Sequence, residues 1–109
     1  MEIVLPGTAG EFDILFRESY SNGRPTYFRL SERENLKGHD VKFGKAELIR
    51  KGNHATIVAI GPALSPVLHA AEELDVTILY YTTICPFDAN TLRENCASSK
   101  ILLCEPYYT

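Results

Sequence analysis

Residues 54–81 decide the fold, and they read HATIVAIGPALSPVLHAAEELDVTILYY. Two near-continuous apolar runs lie at the ends of this stretch, in residues 54–60 and 76–81. Such runs, without polar alternation, are typical of strands that are buried on both faces of a parallel sheet. We therefore interpret both runs as neighbouring, parallel strands.

The segment between the two runs predicts a crossover helix. Gly61-Pro62 ends the first strand, and Ser65-Pro66 supplies an N-cap residue and a first-turn proline. A helix over residues 65–74 is indicated by apolar residues at helical spacing, namely Val67, Leu68, Ala71 and Leu74. Parallel strands joined in this way almost always form a right-handed crossover, which we expect here.

The alternation of strands and helices continues on both sides of this unit. Upstream, residues 45–51 predict a short strand, and downstream Pro86 and Asp88 open another helix. Residues 100–104 predict a last strand. Strands that alternate with short helices predict an α/β fold with a mainly parallel sheet.

The first thirty residues predict a β-α-β unit of their own. Residues 3–5 are a short apolar strand, and Thr8 and Glu11 have the spacing of a helix capping box. Residues 25–30 alternate and are rich in strand formers, so they predict the second strand. Residues 31–44 are polar and charged, and we interpret them as a connector.

Composition excludes several classes of function. The net charge is -3 with both signs mixed along the chain, so the basic stripe of a nucleic-acid binder is missing. The N-terminus has neither a basic region nor a long apolar run, which argues against a signal peptide and a membrane anchor. The three cysteines suit neither a disulfide framework nor a zinc site, and they predict reduced, mostly buried thiols in a cytoplasmic protein: Cys85, Cys96 and Cys104.

Single residues that could bind ligands give weak signals. His39, His54 and His69 are scattered at spacings that metal ligands do not use, so we expect structural or solvated roles. Gly61 precedes a helix and could mark an anion site, but one glycine without a glycine-rich pattern indicates little.

Several segments together resemble one known family. In order along the chain, five of them are similar to the opening of the transketolase C-terminal domain: FGKA at 43–46, ATIVAIG at 55–61, AAEEL at 70–74, ICPFD at 84–88 and LLCEPYY at 102–108. Residues 4–30 resemble the end of the pyrimidine-binding domain that precedes it. The resemblance thus divides the chain into residues 1–30, a connector at 31–44, and a truncated, Rossmann-like domain at 45–109.

The resemblance implies an enzyme that uses thiamine diphosphate and magnesium to transfer a two-carbon ketol unit between sugar phosphates. The family's cofactor motifs lie upstream of anything present here, so we expect this chain to bind no cofactor and to be inactive alone. Its partners would be the rest of the enzyme and sugar phosphates. A truncated sheet leaves an exposed edge or apolar face, so we also expect a homo-oligomer, joined at that face or at residues 100–104. Alternatively, the β-α-β unit of residues 1–30 could fold over that face and replace what the truncation removes.

Two arginines are candidates for binding the substrate phosphate. Residues 30–36 resemble the transketolase segment L-S-R-Q-N-L with one residue inserted, which aligns Arg33 with the phosphate-binding arginine. The insertion leaves Arg29 as the other candidate. A guanidinium suits this role because its planar donors match two phosphate oxygens. Without the resemblance, Arg33 could be a solvated residue and Arg29 could pair with a carboxylate at the core's edge.

A different class of function remains open. The chain could be a stand-alone α/β module that binds a small anion or a partner protein without catalysis. Transketolase and 1-deoxyxylulose-5-phosphate synthase are also not distinguished by these residues.

Overall fold

The computed structural model describes residues 1–30, 34–35, 38–96 and 100–105. Strands and helices are mixed along them, as an α/β fold requires. The elements are β1 (Glu2–Val4), α1 (Ala9–Ser19), β2 (Thr26–Phe28), β3 (Glu47–Arg50), β4 (Ala55–Ile60), a 3-10 turn (Gly61–Ala63), α2 (Leu64–Ala70), β5 (Val76–Tyr81), β6 (Thr83–Cys85), α3 (Ala89–Asn95) and β7 (Ile101–Cys104).

The larger sheet has four strands in the order β3-β5-β4-β7. β4 lies parallel to both of its neighbours, with Ala55 opposite Val76 and Thr56 opposite Ile101. β3 is antiparallel to β5 and forms one edge. The α/β class with mainly parallel pairing is confirmed.

The two central strands are buried along their whole length. Successive side chains of a strand point to opposite faces, so each strand contributes to two cores. Ile57 and Ile78 pack in the core that contains α2, while Val58 and Leu79 pack on the other face with Leu92 of α3. Burial on both faces explains why neither strand shows polar alternation.

The smaller sheet has the order β2-β1-β6. β1 and β2 are parallel and joined by α1, which confirms the predicted β-α-β unit. β6 pairs antiparallel with β1 and was not predicted. It is only three residues long, and its partner strand lies about eighty residues away in sequence. β6 thus connects the second half of the chain to the first.

Helix α2 begins and ends earlier than the sequence predicts. It runs over Leu64–Ala70 after the 3-10 turn, so Ser65 lies inside it and is not its N-cap. The residues after it form a turn whose carbonyl oxygens at Ala71 and Leu74 accept hydrogen bonds from Arg50 Nη2, at 2.5 and 2.6 Å. Ala71, the first residue of this turn, is still buried. The helical spacing of apolar residues therefore continues past the end of the helix.

The prediction of mostly buried cysteines is wrong. Cys85 is exposed, Cys96 and Cys104 are half-buried, and all three are free thiols. Cys85 and Cys104 lie on β6 and β7, which are edge strands, and an edge strand covers its side chains less completely than a central one.

Among the described residues, none of the helices is long and apolar enough to span a bilayer.

Candidate functional site

A cleft of about 250 Å³ lies where the two sheets meet. Leu5 and Arg29 follow β1 and β2, while Ile60 ends β4 and Glu105 follows β7. These four residues lie at the carboxyl ends of strands, where ligands often bind in open α/β sheets. The other three lining residues lie within β1, β2 and β6, namely Ile3, Tyr27 and Ile84. We call this cleft the inter-sheet cleft, and its lining residues are Ile3, Leu5, Tyr27, Arg29, Ile60, Ile84 and Glu105.

Arg29, one of the two predicted phosphate ligands, lines this cleft. Its backbone N–H donates to the carbonyl of Val4 at 2.9 Å, which fixes the backbone just past the end of β2 beside β1. Its side chain is exposed. The other predicted ligand, Arg33, lies outside the described residues.

A buried polar junction lies beside the cleft and holds the two halves of the chain together. We define it as Gly7, Glu11, Asn35, Gly61 and Tyr80. Glu11, Asn35 and Tyr80 are each no more than 6% exposed. Buried polar groups stabilise a structure only when their hydrogen bonds are made, so each member's partners decide what the junction does.

Glu11 accepts three hydrogen bonds in this junction. Its Oε1 accepts from the backbone N–H of Gly7 at 3.1 Å and from the Tyr80 hydroxyl, and its Oε2 accepts from the N–H of His39 at 3.0 Å. The capping-box spacing correctly predicted Thr8 as the N-cap, since its Oγ1 accepts from Glu11 N–H at 3.1 Å. Glu11 itself, however, reaches beyond the cap to the other half of the chain.

Asn35 anchors the connector at four points. Its N–H donates to the carbonyl of Gly7 at 2.9 Å, and its Oδ1 accepts from Ser65 N–H at 3.0 Å. Its Nδ2 donates to the carbonyl of Gly61 and to the Tyr80 hydroxyl, each at 3.2 Å. The bond to Ser65 serves a first-turn N–H of α2, and it replaces the local cap that the sequence predicted.

Glycines let the backbones approach closely at this junction. Gly61 has φ of +54°, and a Cβ there would lie 2.8 Å from the carbonyl oxygen of Leu5. A Cβ on Gly7 would overlap the Tyr80 hydroxyl and the Asn35 amide. The sequence leaves Gly61 open as an anion site, and in the structure Gly61 makes this close contact between the ends of β1 and β4.

Tyr80 acts as a neutral donor in the junction. Burial, together with its hydrogen bond to the Glu11 carboxylate, raises the pKa of Tyr80 far above its usual value. Its proton therefore stays in place, and it donates to Glu11 while accepting from Asn35.

None of the three histidines lines the inter-sheet cleft. The His39 ring lies 5.4 Å from the Tyr80 ring, and its Nδ1 is 3.9 Å from Glu47 Oε2, which is too long for a hydrogen bond. His54 and His69 are exposed. The part of the chain that the structure describes contains no group of three or more His, Cys, Asp or Glu residues that could hold a metal ion.

Comparison with known proteins identifies the family. Residues 44–104, more than half of the chain, match the family described as transketolase, C-terminal domain. The chain belongs to this family. A solved structure described as a split gene transketolase, inactive beta4 tetramer, matches 96% of this chain and 38% of that chain with a TM-score of 0.82. At 22% identity, this match establishes the fold.

Alignments with several related proteins also cover the first half of the chain. An uncharacterized 33.6 kDa protein in the fasciation locus of Rhodococcoides fascians is 38% identical over 94% of this chain and 34% of that protein. A transketolase family protein of Sinorhizobium fredii is 32% identical over 89% of this chain and 31% of its own length. The 1-deoxy-D-xylulose-5-phosphate synthase of Acidovorax ebreus is 30% identical over 94% of this chain and 17% of the synthase. The chain thus spans about a third or less of the length of these relatives.

Proposed function

We propose that this chain is part of a transketolase-type enzyme that transfers a two-carbon ketol unit between sugar phosphates, and that it is inactive alone. The observation that supports this most is the place of Arg29 in a fold of this family. It lines a cleft together with residues at the carboxyl ends of β1, β4 and β7, where an anionic substrate group could meet it.

In this proposal Arg29 and Arg33 bind the phosphate of the sugar. A charge-assisted, bidentate hydrogen bond fixes the phosphate in one orientation, which holds the rest of the sugar in register for the reaction. Asn35 and Glu11 then act as positioning residues, because they fix the connector and the ends of β1 and β4 around the cleft.

We assign thiamine diphosphate and magnesium to the rest of the enzyme. The cofactor motifs of the family lie upstream of the segment that this chain resembles, so in this proposal the diphosphate site belongs to the rest of the enzyme. The cofactor supplies the carbanion chemistry, and the contribution of this chain is to bind and orient the substrate. The partner is therefore a polypeptide, or a further segment of the same one, that carries the cofactor site. A cytoplasmic location, expected from the free thiols, stays a prediction.

Substitution of each arginine in the complete enzyme tests the substrate role. Arg29→Gln or Arg33→Gln should raise KM for phosphorylated substrates by roughly 10- to 100-fold, because a charge-assisted hydrogen bond contributes about 1.5–3 kcal/mol. KM for unphosphorylated analogues should change little. Arg17→Gln is the matched control, since Arg17 is exposed on α1 and pairs with Asp13. An equal effect on both kinds of substrate would remove the substituted arginine from the phosphate site.

A second candidate function is a stand-alone binding module, and one observation favours it. Val4 and Leu15 from the first thirty residues share a single buried core with Ile57, Ile78 and the residues around them. A chain with one shared core can fold as a unit. The two candidates differ in whether the chain gains activity from a partner, which a reconstitution assay measures.

A further inference from the structure

The walls of the inter-sheet cleft differ from what a sugar requires. Four of the lining side chains are aliphatic, namely Ile3, Leu5, Ile60 and Ile84, and the ring of Tyr27 adds a fifth apolar surface. A sugar carries a hydroxyl group on nearly every carbon, and each would lose its hydration against such walls. A ligand site that is mostly apolar with a few charged groups suits a molecule with an apolar body.

The charged lining residues define the polar end of such a molecule. Arg29 offers a planar set of donors that suits a carboxylate. Glu105 lines the same cleft with the opposite charge, so a second anionic group on the ligand would meet a like charge. The cleft therefore favours one carboxylate and disfavours two.

We propose that the inter-sheet cleft binds a small organic monocarboxylate with a branched aliphatic body, which occupies Arg29 and competes there with the substrate phosphate. The aliphatic body lies against the apolar walls, and the carboxylate accepts hydrogen bonds from the Arg29 guanidinium. This inference rests on the proposed function only for the use of Arg29 as an anion ligand. It adds a second ligand class and a form of regulation at that site.

Titration of the full 109-residue chain with 4-methylvalerate, followed by NMR of methyl groups and of the Arg29 side-chain N–H, tests this. The expected result is a saturable shift of the methyl signals of the four aliphatic lining residues. Ribose 5-phosphate, at the same concentration, should shift the Arg29 signal and leave those methyl signals unshifted. The dicarboxylate 3-methylglutarate should bind more weakly than 4-methylvalerate.

Two substitutions at the charged lining residues sharpen the test. Arg29→Gln should weaken 4-methylvalerate binding by roughly 10- to 100-fold, and Arg29→Lys should restore part of it. Glu105→Gln should leave the affinity for 4-methylvalerate unchanged. It should raise the affinity for 3-methylglutarate towards that for 4-methylvalerate.

The inference is overturned if 4-methylvalerate leaves the methyl signals unchanged, if ribose 5-phosphate shifts them equally, or if Arg29→Gln has no effect on binding. A shift of the Arg29 signal by ribose 5-phosphate alone would reject the monocarboxylate and leave the proposed phosphate role in place. Binding of 4-methylvalerate without any response of Arg29 to ribose 5-phosphate would reject both the phosphate role and the competition, and would leave only the monocarboxylate site.

Discussion

At the scale of single residues, Gly7 shows how little space the polar junction has. A side chain there would overlap the Tyr80 hydroxyl and the Asn35 amide, which are both held by hydrogen bonds. We expect Gly7→Ala to lower the free energy of unfolding by about 1–3 kcal/mol, the usual effect of overpacking a buried site. Urea denaturation measures this change.

Gly10→Ala is the matched control for Gly7→Ala. Gly10 lies in α1, and the nearest atom to a Cβ there is Thr8 Oγ1 at 3.9 Å. Glycine loses more backbone entropy than alanine when a helix forms, so this variant should be at least as stable as the wild type. If both variants change stability in the same direction, the tight packing described for Gly7 is incorrect.

Glu2 gives the fold a dependence on acid pH. Hydrogen bonds from Asn22 and Thr26, together with nearby Arg24, lower the pKa of Glu2 below its usual value, against the opposing effect of burial. A carboxyl group whose pKa is lowered by folding stabilises the protein above the pKa of the unfolded chain, and this stability is lost as the pH falls through the folded pKa. We therefore expect the urea midpoint to fall below about pH 4.5.

Glu2→Gln separates the charge of Glu2 from its hydrogen bonds. Asn22 and Thr26 both donate to Oε1, at 2.9 Å, and glutamine keeps an oxygen that can accept both. The loss of stability between about pH 6 and about pH 3 should thus be smaller in this variant than in the wild type. Glu73→Gln, at an exposed position, should leave the pH profile unchanged. Identical profiles for wild type and Glu2→Gln would show that Glu2 does not contribute.

Local interactions of single residues could be predicted from the sequence, whereas distant ones could not. Thr8 and Asp88 cap their helices as expected, because a cap bonds to residues three positions further on. Asn35 bonds to residues 26, 30 and 45 positions away. No spacing rule indicates such contacts. The spacing of Thr8 and Glu11 predicted only a local cap, so it gave no indication of the hydrogen bond between Glu11 and Tyr80.

At the scale of elements, the strength of the apolar pattern decided what could be predicted. The boundaries of β5 were predicted correctly and those of β4 to within one residue, because both strands are continuous apolar runs between clear turns. β6 was missed, since its three residues form a strand only by pairing with β1. The start of α2 was misplaced because the 3-10 turn continues directly into it.

The strand β7 is the element most exposed to other chains. Its outer edge has no neighbouring strand among the described residues, and Ile101, Leu102 and Leu103 are 46%, 43% and 59% exposed. Unpaired apolar edges recruit other strands, so we expect the chain to self-associate. Leu103→Lys should shift static light scattering towards the monomer, because a charge on an edge strand opposes such pairing.

Leu74→Lys serves as the control for this experiment. Leu74 is 55% exposed, similar to Leu103, but it lies in the turn between α2 and β5. The Leu74→Lys substitution should leave the association unchanged. A wild-type chain that stays monomeric over a range of concentrations would contradict the prediction and would favour a self-sufficient small protein.

At the scale of the whole molecule, the family and the fold class followed from the sequence, whereas the site followed only in part. The order of five motifs predicted the transketolase family, and the family match and the matching fold confirm it. Arg29 was predicted as a ligand, but the cleft that it lines is formed by residues from both halves of the chain. The pairing of β1 with β6 and the shared core bring those halves together. The division at residues 31–44 and the role of Arg33 stay predictions.

Reconstitution of ketol transfer tests the central claim most directly. The chain is assayed with sugar phosphates, thiamine diphosphate and Mg²⁺, first alone and then with the polypeptide that carries the thiamine-binding region. We predict no turnover above a no-protein control for the chain alone, and turnover that requires both polypeptides in the mixture. Turnover by the chain alone, or no gain when the two polypeptides are combined, would contradict the account.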